Sequence, residues 1–267
     1  YNWAFAPADE FTRRMGVNTQ LILREEAHFD ELSDPSSGSW YIEALTDRMA
    51  GEAWKIFQAI EAVGGYAKAE AGGFIEELVR PARENRRTLV AQRRKLFTGI
   101  NAHANPQERE LDHVRRIPDA PRGASPFEML RLNAERHEKT TGKTPRVFLL
   151  RWGDAKMRRA RAEFSGDFFA SGGFEIADRP AFSSLDEAIE AVTAEKPDAL
   201  VLCSSDGEYL GLAKSVCPRV SCPVIVAGLP KDDIDKLKEA GVADFIHIRS
   251  NAVETLAAWQ QKLGIGG

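Results

Sequence analysis

Arg146-Val147-Phe148-Leu149-Leu150-Arg151-Trp152 is an apolar run held between Pro145 and Gly153, too short to be a helix of ordinary length. A strand that is hydrophobic on both faces belongs in a sheet covered on both sides, which is the habit of parallel strands. Three later runs have the same character: Asp198–Cys203, Pro223–Ala227 and Asp244–Ile248, with a shorter one at Phe174–Ala177. Helical stretches of about 10–15 residues stand between them. Ala155–Ser171 is one, and Ser184–Glu195 is another that opens with the Ser-x-x-Glu of a capping box. Strand and helix in alternation predict a doubly wound parallel α/β sheet over residues 145–267. The flavodoxin-like order 2-1-3-4-5 places any ligand at the carboxyl ends of the first and third strands.

Upstream of Pro145 the pattern is helical. Phe11, Met15, Leu21 and Ile22 recur at helix spacing within Ala8–Phe29, and Asp34-Pro35-Ser36-Ser37-Gly38-Ser39 then breaks the chain. Tyr41, Leu45, Met49, Ala53, Phe57, Ile60 and Val63 line one helix face up to the stop at Gly64-Gly65. A further helix is expected from about Gly73 to Arg94. Its Arg86-Arg87 and Arg93-Arg94 pairs are diluted by Glu76, Glu77 and Glu84, so they read as solvated faces or a subunit contact. Between Ile100 and Pro126 no period persists and Asn105-Pro106, Ile117-Pro118 and Ala120-Pro121 interrupt the chain, which predicts a linker, followed by a connecting helix from Phe127 to Thr141. The expected division is therefore helices over 1–94, a linker with its helix over 95–144, and the α/β domain over 145–267.

Composition narrows the function classes. The chain has 267 residues, 43% of them hydrophobic, which is enough for proper cores. Its 36 basic and 40 acidic residues give a net charge of −4, so no global field favours nucleic acid or an anionic membrane. No stretch approaches the roughly 20 apolar residues that span a bilayer, and no signal peptide opens the chain, so a cytoplasmic protein is expected. It begins at Tyr1 without an initiator Met, as a processed product, an engineered fragment or the ordered piece of something longer would. Cys203, Cys217 and Cys222 lack paired spacing and read as reduced thiols, and the five histidines, His28, His103, His113, His137 and His247, show no metal-ligand spacing.

The two positions singled out by topology are sparse in chemistry. After the first strand stand Gly153, Asp154, Arg158 and Arg159, which could hold an anion at a helix start but read more simply as a basic turn. After the third stand Cys203-Ser204-Ser205-Asp206-Gly207-Glu208. A nucleophile there would need His247 as its base with a third group to orient it, whereas Ser-Ser-Asp is an ordinary helix cap.

The segments Asn18–Glu26 (Asn-Thr-Gln-Leu-Ile-Leu-Arg-Glu-Glu) and Asp34–Thr46 (Asp-Pro-Ser-Ser-Gly-Ser-Trp-Tyr-Ile-Glu-Ala-Leu-Thr) resemble a stretch near the end of the substrate barrel of methylmalonyl-CoA mutases. Ile60–Tyr66 and Phe97–Asn101 continue the resemblance in register. It implies that residues 1–94 are the last helices of a (β/α)8, or TIM, barrel and that 145–267 is like the family's cobalamin-binding domain. A barrel of this kind needs at least about 200 residues, more than this chain offers before its linker.

In that family the cobalamin domain carries Asp-x-His-x-x-Gly after its first strand, with His on cobalt, Asp orienting it and Gly making room for the nucleotide tail. Aligned on Gly153, those positions are Ala155, Met157 and Ala160 here, and none is retained. A thioether does not replace an imidazole ligand, and Ala155 supplies no acceptor to orient one. Such a pattern is similar to the small, or beta, subunit of heterodimeric bacterial mutases. The resemblance implies no catalytic, cofactor or metal residue in this chain, with adenosylcobalamin held by a large catalytic partner subunit that interconverts succinyl-CoA and methylmalonyl-CoA. Two alternatives stand beside it. One is a competent mutase subunit binding cobalamin without a His ligand; the other is a signalling pseudo-receiver, whose acidic pair, strand-three Asp and strand-five Lys are replaced here by the lone Asp154, by Cys203-Ser204 and by Ile248-Arg249.

Overall fold

The computed structural model describes residues 6–109, 122–180 and 182–266. Among them the chain forms two compact units, one up to Asn85 and the other from Arg86 onward. No helix of the described residues is long and apolar enough to cross a membrane.

The first unit is helical: α1 (Glu10–Glu25), α2 (Trp40–Ala62), α3 (Tyr66–Ala71) and the greater part of α4 (Phe74–Ala91). Asp9 starts α1 by accepting from Thr12 N at 2.8 Å while the Thr12 hydroxyl accepts from Asp9 N at 3.0 Å, a reciprocal cap. Gly64 and Gly65 have φ of 101° and 89° and end α2, a conformation that a side chain would strain. The 23-residue α2 has no buried residue at all. Trp40 is 91% and Tyr41 74% exposed, and Trp54 stacks on Phe57 at 5.2 Å in the open. Apolar faces of this size are surfaces built to be covered.

The second unit contains α5 (Ser125–Thr141), β1 (Arg146–Arg151), α6 (Ala155–Ala170), β2 (Glu175–Asp178), α7 (Leu185–Glu195), β3 (Ala199–Cys203), α8 (Tyr209–Val216), β4 (Val224–Ala227), α9 (Ile234–Glu239), β5 (Val242–Ile246) and α10 (Ala252–Lys262). The sheet is all parallel, in the order β2-β1-β3-β4-β5. Alternation along β1 sends Val147 and Leu149 into one core with Phe127, Phe168, Phe169 and Trp259, and Phe148 and Leu150 into the other with Val192, Leu212 and Val216. Half of the α7 capping box forms: Ser184 Oγ accepts from Glu187 N, but Glu187 accepts from Ser183 N, one residue before the cap, rather than from Ser184 N.

Two boundaries differ from expectation. β5 spans Val242–Ile246 rather than 244–248, because His247 and Ser250 close a turn on each other and a register shift beside Val224 pairs Val242 one step early. The residues expected to form a linker are the other case. Residues 95–109 and α5 belong to the second unit, and 110–121 lie outside the described residues. Asn101, fully buried, accepts from Phe97 N at 2.7 Å and donates to Val90 O and Lys95 O at 3.1 and 3.0 Å. Arg93, in the left-handed region at φ 56°, donates to Asn101 O and pairs with Asp167 on α6, whose other oxygen accepts from His103 N. Gln260 on α10 donates to Leu130 O and Gly172 O, tying α5 to the same core.

Because Phe127 and Val90 sit in the core of the sheet, a fragment beginning at Arg86 should unfold cooperatively, whereas one beginning at Pro145 should bind hydrophobic dyes and lose its sharp transition. Removing the three side-chain hydrogen bonds of Asn101, one buried and two part-buried, with Asn101→Ala should cost about 2 kcal/mol in urea unfolding of the second unit. Amide exchange should be fast along α2 and slow along β3; equal protection of the two would contradict the exposure of α2.

Candidate functional site

The crevice outside the carboxyl ends of β1 and β3 is formed by the turn Trp152-Gly153-Asp154 and the loop Ser204–Glu208. Each has a local reason to turn. Trp152 N donates to Cys203 O as the last rung of the sheet, Gly153 then takes φ 71°, and Asp154 caps α6 by accepting from Met157 N at 2.7 Å. On the other side Tyr209, fully buried, donates its hydroxyl to Ala227 O at 2.6 Å and accepts from Ser204 N at 3.2 Å, which pins the loop between the ends of β3 and β4. Burial pushes the phenol pKa up and keeps it neutral.

Glu208 is the centre of the crevice. Its Oε2 accepts from the hydroxyls of Ser204 and Ser205 at 2.7 and 2.6 Å and from the amides of Ser205 and Asp154, both at 3.2 Å. The two serine hydroxyls, followed by the two amides, hold this carboxyl pKa down at about 2. A Cβ built on Gly153 would collide with the carboxylate, so the glycine is what lets it sit there. Beside it Arg161 of α6 pairs with Asp206 at 3.0 Å. Ser-Ser-Asp is therefore no helix cap: α8 begins at Tyr209, and the serines donate to Glu208 instead.

The residues singled out in the sequence fall around this centre without forming a reactive set. Ala155 and Ala160 are exposed on the first turns of α6, and Met157 is half-buried. Arg158 donates to Gly153 O at 3.2 Å, a bond within its own turn. Cys203 is fully buried, and burial drives its pKa up to about 12, which leaves a thiol rather than a nucleophile. His247 accepts from Arg249 N through Nδ1, and burial with the charges of Arg249 and Arg161 lowers its pKa. Among the described residues no group of three His, Cys, Asp or Glu side chains could hold a metal. Glu208 was missed in the sequence because Ser204 and Ser205 read as a helix cap and its remaining partner, Asp154, lies 54 residues away; the available signal was a glycine at each switch-point turn.

A folded pKa of about 2 against the ordinary 4.5 means that Glu208 stabilises the fold above pH 4.5 and that this contribution is lost as pH falls toward 2. The partly exposed Glu208→Gln protein should be less stable by about 1 kcal/mol at neutral pH. Its stability should also fall less steeply through that acid window, as read by denaturant titrations at each pH; parallel acid limbs for both proteins would contradict the seat described.

Residues 1–146 match the sequence profile of methylmalonyl-CoA mutase. The chain is similar to the methylmalonyl-CoA mutase small subunit of Porphyromonas gingivalis, 38% identical over 99% of this chain and 45% of that protein. The small subunit of Streptomyces virginiae is 31% identical over 96% of this chain and 42% of its own length. The methylmalonyl-CoA mutase of Rhizobium meliloti is 33% identical over a shorter region, 42% of this chain. The chain thus spans less than half the length of the small-subunit relatives it matches. With the family profile covering more than half of its residues, and a five-stranded parallel sheet completing it, the chain belongs to the methylmalonyl-CoA mutase family.

Proposed function

We propose that the chain is part of a non-catalytic small subunit that supports an adenosylcobalamin-dependent methylmalonyl-CoA mutase by forming a heterodimer with a large catalytic subunit in the cytoplasm. The observation that carries this reading is the crevice. Cobalamin does not fit the residues present: the position of the cobalt ligand holds the Met157 thioether, those of the orienting carboxylate and the space-making glycine hold Ala155 and Ala160, and the Gly153 turn is filled by the Glu208 carboxylate. A chain with no cobalt ligand and no acid–base pair at its crevice contributes to succinyl-CoA and methylmalonyl-CoA interconversion by holding its partner. The uncovered apolar faces of α1 and α2 suit that role, since the rest of a mutase barrel and its partner would bury them.

Two measurements test this. Mixed with adenosylcobalamin, the chain should acquire no protein-bound corrinoid spectrum, and micromolar binding would overturn the reading. The small subunit that contains this chain should co-purify with a cobalamin-binding large subunit and raise its thermal stability. Full mutase activity and an unchanged melting temperature of the large subunit alone would leave a supporting role without basis.

A further inference from the structure

We propose that the turn joining β5 to α10 is a proton-operated latch, closed while the His247 imidazole is neutral and opened when the ring takes up a proton. Three bonds close the turn. His247 N donates to Ser250 Oγ at 3.0 Å, Ser250 N donates to His247 O at 2.9 Å, and Arg249 N donates to the ring's Nδ1 at 3.1 Å. The first two are indifferent to the state of the ring. The third is not, because a neutral imidazole keeps one nitrogen as an acceptor, whereas both nitrogens of the imidazolium carry a proton and donate. Protonation at Nδ1 therefore sets one N–H against another, and the Arg249 amide must leave the ring and bond to water. Ile248, 73% exposed, and the exposed Arg249 can follow it outward. The movement stops at Asn251, whose side chain accepts from Glu254 N at 3.3 Å and whose carbonyl accepts from Thr255 N at 2.9 Å, with Ala252 and Leu256 fully buried behind it.

The charges around the ring favour the closed form at neutral pH. Arg249 of the same turn and Arg161 of α6 both act on it as cations. Asp206, from the loop after β3, is paired with Arg161 at 3.0 Å, and the two meet beside Gly228 just past β4, where an added Cβ would lie 3.1 Å from the Asp206 carboxylate and 3.5 Å from the Arg161 guanidinium. Partial burial, followed by the charges of Arg249 and Arg161, lowers the His247 pKa from its ordinary 6.5. The bond accepted from Arg249 N works in the same direction, since it stabilises only the neutral ring. The latch is thus closed at neutral pH and opens in mild acid, below 6.5. Because the folded state holds this proton less tightly than the unfolded chain, stability falls as pH drops through that range. Opening also adds a third positive charge to those of Arg249 and Arg161 at the carboxyl end of the sheet.

A nuclear magnetic resonance titration of the full chain from about pH 8 to about pH 4.5 tests the latch. At the alkaline end the imidazole nitrogens should show Nδ1 bare and Nε2 protonated. On acidification the ring and the Arg249 amide should titrate together, with one midpoint below 6.5. His247→Asn keeps an acceptor oxygen close to the place of Nδ1 but takes up no proton, so its Arg249 amide should stay in the closed position across the whole range. Arg161→Gln removes one of the two cations and should move the common midpoint upward. A proton on Nδ1 at the alkaline end, an Arg249 amide that ignores the titration of the ring, a midpoint at or above 6.5, an unmoved midpoint in Arg161→Gln, or the same transition in His247→Asn would each overturn the proposal.

Discussion

A parallel sheet has no face that can be left to water, and that constraint governs the second unit. Val147 through Leu150 are each fully buried, as are Leu200, Val201 and Leu202, so β1 and β3 need apolar cover from both sides. α7 and α8 supply it on one face. On the other, α6 and α10 are completed by α5 and by the end of α4, through Phe127, Leu130 and Val90. The residues around Asn101 are held for the same reason. The buried Asn101 amide bonds their backbone at Val90, Lys95 and Phe97, and Arg93, paired with Asp167, donates to Asn101 O. Arg93 also lies over Phe164 and Phe168 at 5.7 and 5.8 Å, which places a desolvated guanidinium against aromatic faces.

The crevice follows from the same sheet. Parallel strands end together, and the turns after β1 and β3 diverge toward opposite layers, leaving a gap lined by unpaired amides. In this protein the gap is filled from within. A carboxylate held by hydroxyls and amides is stable there because it remains ionised at every ordinary pH, and because glycine at 153 removes the one Cβ that would exclude it.

The first unit obeys the opposite constraint. Its α1 begins in a reciprocal cap and α2 is periodic along one face, yet α2 buries none of its residues, so its apolar face finds no partner within the described residues. Helical periodicity reports which face must be buried and is silent about what buries it.

The sequence by itself determined the strands, their parallel order and the family, because these depend on local runs of apolar residues, on caps such as Ser184-x-x-Glu187 and on long contiguous motifs. It also placed α2 to within a residue or two, from a single periodic face ended by Gly64-Gly65. Tertiary structure decided the rest. Asn101 and Arg93 sit in what reads as a polar, irregular stretch, and only their contacts with Val90 and Asp167 turn that stretch into part of a core. Phe127 and Leu130 read as one face of a connecting helix until the sheet shows what they cover. Ser204 and Ser205 have the form of a helix cap, but a nearby carboxylate is a stronger acceptor for their hydroxyls than a helix start is a partner, and it draws them away. Glu208 itself is one of many glutamates in the sequence; its seat exists only when the turn at Gly153 is folded against it, since hydrogen bonds between residues 54 apart leave no local pattern to read.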